Sequence, residues 1–134
     1  MKITEKNEVL IEYLRTLIKD YKIVAEYKTS NSRSKCITIQ EVSGEKVVFN
    51  ADIDPLFNYM QIVIFGDSIR EQKELSVKLG NLIGKNEKIK IGKEHWQIIF
   101  KQFSNPEPLE YLDIKRVGYT MTLKCIINKF YKEV

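Results

Sequence analysis

The 134 residues carry 43% hydrophobic and 30% charged side chains, a balance that excludes a disordered chain and predicts one globular domain over 1–134. A net charge of +4, scattered apart from Lys85, Lys88, Lys90 and Lys93, reads first as a solvated basic surface. Two cysteines exclude a disulfide framework, and the longest apolar run, around Met60 to Phe65, is too short to cross a bilayer.

The opening Thr4-Glu5-Lys6-Asn7-Glu8 is charged where the apolar core of a secretory leader would sit, so the expectation is a cytoplasmic chain with reduced thiols. Helical spacing of Val9, Leu10, Tyr13, Leu14, Leu17 and Ile18 predicts a helix over 5–20 with Thr4 as N-cap. Its acidic residues come early and its basic ones late, as the helix dipole favours. Strands are expected over 22–27, 35–42 and 45–49, the last two joined by a tight turn at Ser43-Gly44. Residues 56–65 read as a central strand, because their second half is apolar on both faces.

Asp67 is the expected N-cap of a second helix reaching about Ile83. Its inner side would be Ile69, Leu75, Ser76, Leu79, Leu82 and Ile83. Glu74 and Lys78 are spaced for an i,i+4 pair, and Gly84 suits the stop. Strands over 88–91 and 95–103 follow, then a Pro- and Glu-rich stretch over 104–115 that reads as an irregular loop. From Arg116 the chain alternates Tyr119, Met121, Leu123, Cys125 and Ile127 against Thr120, Thr122, Lys124 and Asn128, longer than an ordinary strand requires. The order predicts an α+β fold, two helices on a mainly antiparallel β-sheet.

Chemistry is sparse in this inventory. His95 adjoins Glu94, but neighbours in a strand point to opposite faces and make no dyad. Gly80 to Lys85 superficially matches a phosphate loop, yet it is one residue short, lacks the Ser or Thr after Lys, and ends a helix instead of opening one. Asp52 and Asp54 lack the Gly and late Glu of a calcium loop. Glu107, Glu110 and Asp113 lie on the loop, where contact with a partner or solvent suits them better than hydrolysis. Tyr13, Tyr27, Trp96, Tyr111 and Tyr119 accompany no RNA-recognition consensus and read as core or interface. Cys36 and Cys125 fall in opposite strand phases, one facing out and one in, so no bridge is expected between them.

Four features in chain order carry a family resemblance. They are the opening helix with Leu10-Ile11-Glu12-Tyr13-Leu14; the strand-to-helix passage Met60-Gln61-Ile62-Val63-Ile64-Phe65-Gly66-Asp67-Ser68; that helix ahead of Trp96-Gln97-Ile98-Ile99-Phe100; and Asn105-Pro106-Glu107-Pro108-Leu109-Glu110 ahead of Asp113-Ile114-Lys115-Arg116-Val117-Gly118-Tyr119. This layout, over nearly the whole chain, resembles the tail terminator family of long-tailed bacteriophages, also called minor capsid or tail completion proteins. The resemblance implies a tail-terminator-like fold and a structural assembly protein, neither enzyme nor holder of metal or cofactor. Such a protein forms a homo-hexameric ring on the end of the tail tube, stops polymerisation of tube and sheath, and offers the surface that joins the head. Its partners would be its own copies, the tube protein, the sheath of a contractile tail, and the head–tail connector or neck proteins. DNA would meet it only by passage through the channel, and no membrane is involved. It would be assembled in the bacterial host cytoplasm and reside at the neck end of a virion tail, or of a phage-derived tail-like particle. Candidate contacts between subunits or with the tube are Arg33, Glu107, Glu110, Tyr111, Asp113, Lys115 and Arg116.

Two other readings stay open. Another head–tail connector or neck protein would share the ring symmetry. A basic nucleic-acid-binding domain, motivated by the +4 charge and the Lys85 to Lys93 cluster, predicts salt-steep affinity in an isolated monomer.

Overall fold

Residues 5–25, 35–42, 57–65, 68–105, 107–111 and 116–130 are described by the computed structural model. In chain order they form α1 (Lys6–Leu17), β1 (Lys22–Val24), β2 (Cys36–Glu41), β3 (Asn58–Phe65), α2 (Ile69–Gly80), β4 (Asn86–Ile91), β5 (Glu94–Phe103), β6 (Glu107–Tyr111) and β7 (Arg116–Phe130). The expected turn at Ser43-Gly44, the strand over 45–49, and Asp52, Asp54, Thr4 and Asp67 lie outside the described residues, and the N-cap of α1 is Glu5, not the expected Thr4.

The architecture is α+β: one sheet in the order β1-β2-β3-β7-β5-β4, with β6 added to β7. Among the described strands only β1 and β2 run parallel; the other pairings are antiparallel, so the sheet is mixed. The long alternation from Arg116 becomes the central strand β7, which carries β3 along one edge and β6 followed by β5 along the other. Between β6 and β5 the ladder is bridged by Ser104. Its N–H donates to Thr122 O at 2.9 Å, and its Oγ accepts from Thr122 N at 2.8 Å. β5 and β6 thus follow β7 one after the other, with a register shift between Phe100 and Gln102.

Helix α1 touches β1 and β2 at one end of the sheet and β4 at the other, so the sheet curls around it. That curl explains why more of α1 is buried than one stripe requires: Ile11 and Asn7 join Val9, Leu10, Tyr13 and Leu14. Buried Asn7 donates its Nδ2 to Ile39 O at 3.1 Å, which removes the cost of an unpaired amide. At the far end Arg15 fastens the helix to β1, donating from Nη2 to Ile23 O at 2.7 Å. The helix ends at Leu17, earlier than the expected 20, and Leu17 is 40% exposed although its spacing placed it in the core.

Ser68, rather than the suggested Asp67, is the N-cap of α2, and its side chain accepts from Glu71 N. The helix stops at Gly80, so Leu82 is buried from the following turn while Ile83, expected inside, is 38% exposed. Gly84 closes this turn at φ +87°, a conformation that glycine adopts without strain. The expected Glu74–Lys78 pair is not the one formed. Glu74 pairs with Arg70 at 3.2 Å, and Lys78 Nζ reaches Leu17 O, a carbonyl at the negative end of α1.

Candidate interaction surfaces

Strand alternation sorts the side chains of this sheet into two unlike faces. The inner face joins Met60, Ile62 and Ile64 of β3 with Ile98 and Phe100 of β5 and Leu123, Cys125 and Ile127 of β7, in one cluster with α1 and α2. Tyr13 packs its ring 5.7 Å from that of Phe100. Burial, with Glu87 as a second cause, raises the Tyr13 hydroxyl above its usual range. Burial likewise pushes the Cys125 thiol up to about 12, helped by Glu41 and opposed by Lys6.

Cys36 belongs to the other side, as its phase predicts, but it is buried there with Val63 and Phe65 in a small separate cluster. Both cysteines are buried, and they form no disulfide with each other. Gly118 sits opposite Phe65 in this cluster, and a Cβ there would lie 3.1 Å from Phe65 Cε1 and 3.2 Å from Ile64 O. The glycine is therefore set by close approach of two strands.

The stretch over 104–115 is not simply irregular, contrary to the sequence expectation. Its residues Glu107–Tyr111 form β6, in register with β7 from Glu107 opposite Thr120 to Tyr111 opposite Arg116. Proline suggested a loop because it lacks a donor, yet an edge strand with a neighbour on one side accommodates Pro108. Among the expected contact residues, Glu107, Glu110, Tyr111 and Arg116 are thus brought onto one two-stranded rim. Arg33, Asp113 and Lys115 lie outside the described residues. At the other end of β7, β3 stops at Asn58, opposite Cys125, while β7 continues to Phe130. Asn58 Oδ1 accepts from Ile127 N at 3.1 Å just past the end of the ladder.

The pair His95 and Glu94 divides as alternation requires. Glu94 is ion-paired with Lys129 at 2.6 Å, and His95 lies 5.7 Å from the Phe130 ring. The Gly80 to Lys85 segment closes α2 and turns into β4, the opposite polarity from a phosphate-binding loop. Trp96, Tyr13 and Tyr119 are buried. Among the described residues no group of three His, Cys, Asp or Glu side chains stands together as a metal site, and no helix is long and apolar enough to cross a membrane.

The scattered lysines that the sequence left as a solvated surface fall into order here. In β4, Glu87, Ile89 and Ile91 alternate with Lys88 and Lys90, so the carboxylate is turned inward and both ammonium groups outward. The period-two pattern Glu-Lys-Ile-Lys-Ile was the available signal, but its partner residues come from β5 and β7. No protein-family model matches the chain, and no curated protein matches it.

Proposed function

We propose that this chain is a structural assembly protein of the tail terminator type, acting through its sheet margins on copies of itself and on a tail tube. The observation that carries the reading is the β6–β7 rim. Glu107, Glu110, Tyr111 and Arg116 are held there in strand register at an edge that has no further strand among the described residues. An ordered edge of this kind is suited to heterologous contacts, which close into rings when the rotation between subunits allows. The β4 edge is less suited, because Lys88 and Lys90 guard it against strand addition.

In this reading a hexameric ring caps the tube, ends growth of tube and sheath, and presents its free side to connector or neck proteins at the head end of the tail. The protein assembles in the host cytoplasm, transforms no substrate, and meets DNA as it passes through the channel. Electron microscopy of the purified chain, alone and mixed with tube protein, tests the proposal. The expected result is a six-fold annulus seated on tube ends. Charge reversal at Asp113 and Arg116 should impair ring formation or capping, and wild-type assembly by that variant would remove the segment over 104–116 from the proposal. A dispersed monomer indifferent to tubes would overturn the whole reading.

A further inference from the structure

The outer face formed by β4, β5 and the second half of β7 concentrates cations beside aromatic rings. Lys88 and Lys90 are exposed on β4, and Lys124 is half-buried on β7. Lys88 Nζ lies 5.5 Å from the centroid of Phe130, and Lys124 Nζ lies 4.3 Å from that of Phe57. Phe57 and Phe130 are both half-exposed. The carboxylates of the same strands are turned away: Glu87 pairs with Ile98 on the inner face, and Glu94 holds Lys129 there. On the outer face Glu107 stands further along, on β6 opposite Thr120. Both helices pack on the inner face, which leaves this side without a helical cover among the described residues.

We infer that this face binds single-stranded nucleic acid, with phosphates on Lys88, Lys90 and Lys124 and bases stacked on Phe57 and Phe130. Charge selects a polyanion, and the rings select one whose flat faces are available. A duplex hides its base faces in the stack, and an acidic protein surface would engage the lysines while making no use of the rings. A lysine over an exposed ring is weakly held, so it can exchange the ring for a phosphate while a base takes the ring. From Lys124 to Phe130 the strand covers roughly 20 Å, within reach of a short oligonucleotide. The inference goes beyond the ring-forming role and stands or falls without it.

Fluorescence anisotropy of the full chain with a labelled oligothymidylate of about 20 nucleotides tests it, with competition by duplex DNA and by polyglutamate. The expected result is preference for the single strand, with log K falling against log salt at a slope of about −2 for three phosphate contacts. Lys88→Glu with Lys124→Glu should weaken binding at least about ten-fold and flatten that slope. Phe130→Ala should weaken it about ten-fold and leave the slope unchanged, a separation that charge alone cannot produce. Circular dichroism would verify that each variant is folded. Equal competition by duplex, with Phe130→Ala silent, would overturn the single-strand assignment. Equal competition by polyglutamate would reassign the face to an acidic protein, and absence of binding at low salt would overturn the inference outright.

Discussion

Along β5 and the second half of β7 the inner and outer faces of the sheet are made by the same strands and differ sharply in burial. On β5, Trp96, Ile98 and Phe100 point into the cluster with both helices and are buried, while His95, Gln97 and Ile99, which alternate with them, are only half-buried. On β7, Leu123, Cys125 and Ile127 alternate with Lys124, Ile126 and exposed Asn128 in the same way. The lesson is that fold and surface chemistry are carried by interleaved residues one position apart. A one-residue slip of β7 would exchange them.

Three experiments would break or sharpen that contrast. Phe100→Ala on the inner face should cost about 3–5 kcal/mol, since the ring is buried against Tyr13 and leaves a cavity. Phe130→Ala on the outer face should cost under about 1 kcal/mol. Urea midpoints for the two variants decide this, and equal losses would mean that the faces are not energetically distinct.

Gly118→Ala probes the small outer cluster, where neither Phe65, fully buried, nor the Ile64 carbonyl has room to yield. The expected loss is about 1–3 kcal/mol by the same measurement, and a neutral result would show that this half of the outer face is loosely packed.

Cys125 supplies the smallest effect, read against pH. Its thiol is protonated in the folded chain up to about 12, while in the unfolded chain it ionises near 9. Between those values the unfolded chain binds fewer protons. The contribution is therefore fully present below about pH 9 and is lost as pH rises toward about 12, by at most about 1.4 kcal/mol per pH unit. Tyr13, also raised, acts in the same direction, so the diagnostic quantity is the difference between wild type and Cys125→Ala across pH 8 to about 10.5. Parallel stability curves for the two proteins would show that burial of this thiol is not linked to folding.

Much of this was legible locally. The alternation from Tyr119 to Ile127 located β7 and its phase, and the double-sided apolar run Ile62 to Phe65 marked β3 as central. The helical stripe of Val9, Leu10, Tyr13 and Leu14 likewise located α1. The rim was half legible. Of the residues expected to make contacts, Glu107, Glu110, Tyr111 and Arg116 lie where β6 meets β7, but Pro106 and Pro108 make the segment read as a loop. Asp67 and Ser68 are adjacent residues of good capping types, and only the bond that Ser68 accepts from Glu71 N distinguishes the cap from its neighbour.

The sequence by itself determined which residues alternate, which recur at helical spacing, and therefore the two-helix α+β class. Tertiary structure alone decided that β7 lies between β3 and β5, that the sheet curls until α1 touches both of its ends, and that Lys88, Lys124, Phe57 and Phe130 share one face. The physical reason is range. Periodicity is a property of consecutive residues, whereas strand partners are chosen by the packing of segments far apart in the chain, and the outer face exists only once those partners are aligned.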